Sequence, residues 1–272
     1  MTVLLPTTGE KGNLIPYAMD CVLGQTIRDV ELLVMGDGMG DGTRAVVKSY
    51  AARDDRVRLF EFPKRPSRGT PNRHRLLTEE ARGEIVCYIC DRDLWSRDHL
   101  ELLAKVLETR DLAYTQSLMI KRDAVEFGPP MMSLARRGHR DFFLSRIRHT
   151  HEFLPLSGVG HTMAMYRKLP YGWRENFDMA TDYHMWLQFL EMPECTVDST
   201  LAPTLLWFPT SSWGQDASPE KAEALRTWGK RIMSDAWSTE RWEIAFKQLY
   251  VRGSVFRVRA ALAENALGWP EP

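Results

Sequence analysis

The stretch Val30-Glu31-Leu32-Leu33-Val34-Met35-Gly36-Asp37-Gly38 decides how this chain is read. Leu32 to Met35 is an uninterrupted apolar run, the pattern of a strand covered on both faces, and Gly36-Asp37-Gly38 stops it. The same unit recurs on either side. Upstream, Val3-Leu4-Leu5 is a short strand ended by Pro6-Thr7-Thr8-Gly9, and Ile15, Ala18, Met19, Val22 and Leu23 follow at the spacing of an amphipathic helix. Downstream, a helix from about Thr43 carries Val46, Val47 and Tyr50 on one side, and Val57 to Phe62 forms a third strand. A polar Arg/Pro/Gly stretch, Lys64 to Pro71, leads into a helix ending near Gly83. Glu84 to Ile89 is a fourth strand, and Leu100, Leu103, Ala104 and Leu107 mark the next helix. Strands alternating with helices of this length predict β-α-β units, hence an α/β chain with a mostly parallel sheet flanked by helices.

In such a sheet the ligand sits beyond the carboxyl ends of the strands. The chemically useful residues fall there: Thr7 and Thr8 after the first strand, Asp37 after the second, Asp91 and Asp93 after the fourth. The second half is less regular. Leu112 to Ile120 reads as a strand, and residues 131–152 as a basic, helix-compatible segment with Phe142, Phe143 and Ile147. Thr162 to Tyr166 reads as another strand, and Tyr183, Trp186, Leu187 and Leu190 as a helix. From about Asp216 two helices are expected, split near Ser238-Thr239, with one of those residues as N-cap.

Composition narrows the class. The chain has 272 residues, 44% hydrophobic and 26% charged, enough for one large domain or one domain with an appendage. Lys+Arg and Asp+Glu both number 36, so the basic excess of a nucleic-acid binder is missing. No apolar run approaches the ~20 residues of a membrane-spanning helix, and Met1 to Pro6 lacks the layout of a signal peptide. Cys21, Cys87, Cys90 and Cys195 are too few for a disulfide scaffold, and a reducing, cytoplasmic setting is expected. Cys87-Tyr-Ile-Cys90 has C-x-x-C spacing but lies in a strand-like run with no second pair, so packed free thiols are expected.

Several groups carry candidate chemistry. Asp91-Arg92-Asp93 places two carboxylates at the end of a buried strand, where a hard ion such as Mg2+ or Mn2+ completes its shell with phosphate oxygens and water. The structural alternative is a solvated loop capping the helix that follows. Asp182, in the first turn of its helix, either offsets the helix dipole or acts as general base to an attacking hydroxyl. His161 is a third metal ligand, a phosphate contact or a structural hydrogen-bonder. His149-x-His151 lacks further ligand spacing. The basic run Arg65, Arg68, Arg73 and Arg75 is either a solvated face or a diphosphate or base contact, and its place after the third strand favours contact.

The order of these motifs resembles family 2 glycosyltransferases, inverting enzymes with the GT-A fold. The resemblance runs through Leu4-Leu5-Pro6-Thr7, Asp20-Cys21-Val22-Leu23-Gly24-Gln25-Thr26 and Glu31 to Gly38. It continues through Ala81 to Val86 into Asp91-Arg92-Asp93-Leu94-Trp95, then Tyr166-Arg167-Lys168 and Thr181 to Leu187, covering about the first 190 residues with a central gap. It implies that Pro6, Thr7 and Thr8 line a nucleotide pocket, that Asp37 binds the base and that Arg73 contacts base or phosphate. Asp91 and Asp93 serve ribose and metal, with Asp93 the foremost metal ligand, Asp91 and His161 further candidates, and Asp182 the catalytic base.

Three departures stand out. Gly36 replaces the first of two common acids, Cys90-Asp91-Arg92-Asp93 replaces a run that often carries four, and Thr181 stands where a glutamate is usual. The Gln-x-x-Arg-Trp motif of processive polymer synthases is absent, as is the Gly-rich phosphate loop of sugar-activating nucleotidyltransferases.

The expected organisation is a nucleotide-binding α/β half over 1–110, an acceptor-binding and catalytic half of the same domain over 111–210, and a helical C-terminal extension over 211–272. The expected activity is metal-dependent transfer of a sugar, with inversion, from a nucleotide-sugar donor. A UDP-sugar is favoured, Mn2+ or Mg2+ is the cofactor, and the acceptor is a saccharide or lipid-linked saccharide. The alternative is a catalytically degenerate sugar-nucleotide binder or scaffold. The segment Tyr250 to Leu267, with Val251, Val255, Val258 and Leu262 among Arg252, Arg257 and Arg259, suits packing on its own domain or in a homodimer. Its basic, apolar character also suits peripheral contact with an anionic membrane at the inner face.

Overall fold

In the computed structural model, residues 1–128, 133–149, 154–175, 178–248 and 250 are described. The first half follows the expected alternation, with strands one and two running through their expected stops and one short strand, β5, beyond those expected: β1 (Thr2–Gly9), α1 (Ile15–Leu23), β2 (Glu31–Met39), α2 (Asp41–Ala51), β3 (Val57–Phe62), α3 (Thr70–Glu79), β4 (Ile85–Tyr88), β5 (Leu94–Trp95) and α4 (His99–Leu107). Then come β6 (Leu112–Ile120), β7 (Val125–Phe127), α5 (Arg137–His149), β8 (Val159–Thr162), α6 (Met163–Tyr166), α7 (Thr181–Glu191), β9 (Val197–Trp207), α8 (Thr210–Trp213) and α9 (Pro219–Ile232). A further helix, α10, covers residues 237–248.

The nine strands form one mixed sheet in the order β3-β2-β1-β4-β8-β6-β9-β5, with β7 paired to β6. Its parallel part is β3-β2-β1-β4, in which Leu4 faces Leu33, Val34 faces Leu59 and Val3 faces Cys87. The carboxyl ends of these four strands therefore share one edge. Beyond β4 the direction reverses: β8 runs antiparallel to both β4 and β6, with His161 between Val86 and Leu112.

Strand alternation explains the long apolar runs. Val3, Leu5, Leu32 and Val34 pack on one face with α1, α4 and the C-terminal helices. Leu4, Leu33 and Met35 pack on the other with α3, α5 and α7. Both faces are covered, so neither parity of residue has a polar role. Leu225, Ile232, Trp237 and Ala245 belong to the first of these cores. Trp237 donates its indole N–H to Ser96 Oγ at 2.7 Å, and Arg241 makes a two-pronged ion pair with Asp98.

Three local expectations need correction. The strand expected over Thr162 to Tyr166 ends at Thr162, whose hydroxyl caps the short helix α6 by accepting from Met165 N. The break between the C-terminal helices falls at residues 233–236 rather than at Ser238-Thr239, and the hydroxyl that caps α9 is Ser218. The apolar run of 84–89 ends as a strand at Tyr88, so Cys90 lies in the loop beyond β4. Cys87 and Cys90 are free, with both thiols pushed up to about 12 by burial. His151, the second member of the His-x-His pair, and residues 251–272, which hold all of the proposed membrane or dimer segment except Tyr250, lie outside the described residues. No helix among the described residues is long and apolar enough to cross a membrane.

Candidate active site

The carboxyl edge of β3-β2-β1-β4 opens into a cleft with two lobes that share Arg68, Arg73, Cys90, Arg92 and Leu156. The smaller lobe, about 260 Å3, is lined by Pro6, Thr7, Thr8, Asp37, Arg73 and Asp91. These are the six residues that the resemblance assigns to the nucleotide, from three strand ends and one helix. The larger lobe, about 450 Å3, is lined by Asp93, Asp182, Tyr183 and Trp207.

The smaller lobe is built around Asp37. Its carboxylate accepts from Lys64 Nζ at 2.5 Å and from Arg65 N at 2.8 Å, and its main-chain carbonyl accepts from Thr8 Oγ1 at 2.7 Å. The turn Ser67-Arg68-Gly69 folds over it with three consecutive left-handed residues, at φ 49°, 55° and 65°. Such a conformation costs a non-glycine residue roughly 1–2 kcal/mol. At Gly69 it is also a matter of space, because a Cβ there would lie 2.9 Å from the Asp37 carboxyl carbon. This turn places Arg68 against both lobes. The missing acid at Gly36 has a steric counterpart: a Cβ there would meet the Met39 side chain at 2.5 Å.

Between the lobes lie the acids and Arg92. Thr7 donates to Asp91 Oδ2 at 2.8 Å, and Arg92 Nη1 stands 3.7 Å from Asp91 Oδ1. Asp93 is 2% exposed. Its Oδ2 accepts from Ser157 Oγ at 2.5 Å and its Oδ1 from Phe208 N at 3.1 Å. Burial nevertheless raises its pKa above the usual carboxylate range, outweighing Arg92 and both hydrogen bonds. Ser157 also accepts from Cys90 N at 2.9 Å, and its carbonyl accepts from the Trp95 indole at 2.7 Å. It thus locks the acid-bearing loop to the turn before β8. Sequence reasoning passed over Ser157, and a lone serine in Leu154-Pro-Leu-Ser-Gly158 carries no signal to find it. Trp207 and Gln215, also on the cleft, were missed for the same reason.

Arg73 of α3 is buried and its guanidinium lies 4.8 Å from the centre of the Trp173 ring. Burial lowers its pKa, with Asp182 opposing. Asp182 stands in the first turn of α7, and its Oδ1 is buried without a partner among the described residues. Asp182 lines the larger lobe, and a carboxylate at such a position is able to accept a proton from a ligand hydroxyl.

His161 does not join this group. It lies in β8, fully buried, stacked on Tyr166 with ring centroids 5.2 Å apart and within 5.0 Å of Phe189. Its Nε2 is 2.6 Å from the Tyr88 hydroxyl and its Nδ1 is 3.1 Å from the Thr162 carbonyl. Tyr88 receives the Trp173 indole N–H at 3.0 Å, so its own proton goes to His161 Nε2. Both ring nitrogens are occupied, and burial brings the imidazole pKa down to about 4. The fold thus places His161 off both lobes of the cleft, with no ring nitrogen left for a metal ion or a phosphate.

Among the described residues no group of three or more His, Cys, Asp or Glu side chains is placed to hold a metal ion. Asp91 and Asp93 remain as two carboxylates on adjoining lobes, each oxygen retaining a lone pair. That set fits an ion such as Mg2+ or Mn2+, which takes one or two carboxylates and completes its shell with substrate phosphates and water.

Comparison with known proteins gives the family and the fold. The chondroitin synthase of Pasteurella multocida (strain Pm70) is 26% identical over 187 residues, covering 66% of this chain and 18% of the synthase. The chain thus spans under a fifth of that relative's length. Among solved structures, S. aureus TarS 1-349 in complex with UDP-GlcNAc superposes with a TM-score of 0.58 at 14% identity, covering 91% of this chain and 71% of the TarS 1-349 chain. The mannosyltransferase PcManGT from Pyrobaculum calidifontis, in complex with GDP-Man and Mn2+, gives 0.55 at 18% identity, covering 96% and 79%. The fold is the GT-A arrangement. The family model described as glycosyl transferase family 2 matches residues 2–171, more than half the chain, and the protein belongs to that family.

Proposed function

We propose that the chain transfers a sugar from a nucleoside-diphosphate donor to an acceptor hydroxyl, with inversion at the anomeric carbon. The observation that carries this reading is the unpartnered, buried Oδ1 of Asp182 on a lobe continuous with the Asp37 lobe. The smaller lobe takes the nucleoside. Asp37 accepts a base N–H, which suits uracil, and Thr7 and Asp91 hold the ribose side. The larger lobe takes the sugar and the acceptor. Asp182 removes the acceptor proton as its oxygen attacks the anomeric carbon and the bond from that carbon to the diphosphate breaks. Arg73 lies along the path of the diphosphate, on both lobes. A divalent ion, Mn2+ or Mg2+, supplies Lewis-acid neutralisation of the leaving group when bound, and Asp93 and Asp91 are the residues that would hold it. The nucleotide sugars carried by TarS and PcManGT support the donor class.

A second reading, a sugar-nucleotide binder without turnover, draws support from Arg92 between the acids and from the donors already on both Asp93 oxygens.

The test is thermal unfolding and calorimetry with UDP, GDP and ADP, followed by hydrolysis of UDP-sugars, each in EDTA and in Mn2+. UDP should bind most tightly, and turnover should vanish in EDTA and return with Mn2+. Asp37→Ala should weaken UDP by about 1.5–3 kcal/mol. Tighter ADP binding would rule out the base assignment. UDP binding with no turnover of any sugar nucleotide selects the second reading, and no nucleotide binding rejects both.

A further inference from the structure

The departure at Arg92 places a buried guanidinium where nucleoside and sugar lobes meet. Its side chain is only 20% exposed, and Arg92 lines both lobes and an adjoining cavity bounded by Gly9, Lys11 and Gln215. Its Nε is buried with no partner among the described residues. The carboxylate within ion-pair range is Asp91, at 3.7 Å, longer than a charge-assisted hydrogen bond. No ion pair joins Arg92 to Asp93 among the described residues; the Asp93 oxygens receive Ser157 and Phe208 instead. A guanidinium carries five donors, and leaving the Nε donor unmet in a buried position is costly.

The lysines nearby are already engaged, whereas Arg68 and Arg73 share both lobes with Arg92 and Arg73 Nε is likewise without a partner among the described residues. Lys11 donates to the Gln215 carbonyl, and Lys221 donates to the carbonyls of Gly214 and Asp216, at 3.0 and 2.5 Å. Arg73 lies against Trp173 and donates to the Arg68 carbonyl at 3.4 Å. Arg92 is thus a cation with a buried donor to spare at the junction that a diphosphate linking nucleoside to sugar must cross.

We propose that Arg92 is a built-in diphosphate contact, which lets this chain hold a nucleoside diphosphate without a metal ion and lowers the affinity of the paired acids for that ion. This rests on the proposed donor class. The guanidinium fork matches two phosphate oxygens, and its charge next to Asp91 and Asp93 opposes that of an arriving divalent cation. Metal and Arg92 then neutralise the same phosphates, so the ion strengthens nucleotide binding less than it does when the position is neutral.

The experiment is calorimetry of UDP and of inorganic pyrophosphate, a probe with no base, on the full chain in EDTA and in Mn2+. It compares wild type, Arg92→Gln and Arg92→Lys, with Mn2+ titrated alone as a third probe. Wild type should bind UDP in EDTA. Arg92→Gln should weaken both UDP and pyrophosphate there by about tenfold or more, the range for a lost charged hydrogen bond. The deficit should shrink in Mn2+, and the variant should bind Mn2+ alone more tightly than wild type. Should Arg92→Gln fail to fold, Arg92→Lys carries the comparison: it keeps the charge but loses the fork, and both anions should weaken several-fold in EDTA. Wild-type affinity in EDTA for the folded variant overturns the proposal. So does a wild type that binds UDP only with Mn2+, and in that case the donor assignment stands. A wild type that binds no nucleotide in either buffer overturns the donor assignment itself, and this inference with it.

Discussion

Replacing Asp182 by asparagine separates the chemistry of the site from its binding. The substitution keeps the size and polarity of the side chain and removes the negative charge and the basic oxygen. Oδ1 has no protein partner among the described residues, so no hydrogen bond on that oxygen is lost and the melting temperature should move little. The charge change has a predictable sign. The larger lobe holds Arg68, Arg73, Arg92 and Arg146 against Asp93 and Asp182. Deleting one acid makes it more positive, so affinity for an anionic nucleotide should hold or rise slightly. The rate behaves differently. Loss of a general base costs about 10²–10⁴-fold, or roughly 2.7–5.5 kcal/mol of barrier, and should fall on kcat rather than on the donor KM. The assay is sugar transfer to any accepted acceptor, or slow donor hydrolysis before one is known, beside nucleotide calorimetry on the same preparation. Turnover equal to wild type would refute the role of Asp182. Loss of nucleotide affinity together with rate would make it a structural residue of the lobe.

Two further outcomes follow from buried titratable groups. Asp93 has a pKa raised by burial, so the folded chain binds its proton more tightly than the unfolded chain does, and stability falls as pH rises through the window above the unfolded value. Asp93→Asn should therefore raise the melting temperature of the ligand-free protein at pH 7 while weakening UDP binding in Mn2+; a lower melting temperature would contradict the argument. His161 titrates in the opposite sense: its pKa is depressed to about 4, so its neutral form stabilises the fold above the ordinary value near 6.5, and that contribution is lost as pH falls toward 4. His161→Phe should cost about 1–3 kcal/mol at pH 7.5, because the Tyr88 hydroxyl loses its acceptor. Its loss of stability between pH 6.5 and 4 should be shallower by up to about 1.4 kcal/mol per pH unit, and urea unfolding with an unchanged slope would exclude this account.

The order of strands and helices through residue 107 apart from β5, the two-faced burial of β1 and β2 and the placing of Thr7, Thr8, Asp37, Asp91 and Asp93 toward strand ends were legible in the sequence. Each is a local property: apolar period, turn chemistry and the direction of a parallel strand are set by residues close in the chain. Tertiary structure decided what the local pattern has no means to encode. His161 and Asp182 look alike as isolated polar residues beside a strand or helix. The fold buries one between Tyr88 and Phe189, with both nitrogens occupied, and places the other in the wall of the cleft, with one carboxylate oxygen unpartnered among the described residues. Asp93 meets Ser157 across 64 residues of sequence and Phe208 across 115, so the donors that hold it appear only when β8 and β9 close on the loop after β4. Arg92 has the same origin. In the sequence it is a cation between two acids, and only the fold shows its Nε buried without a partner among the described residues, in the wall of both lobes.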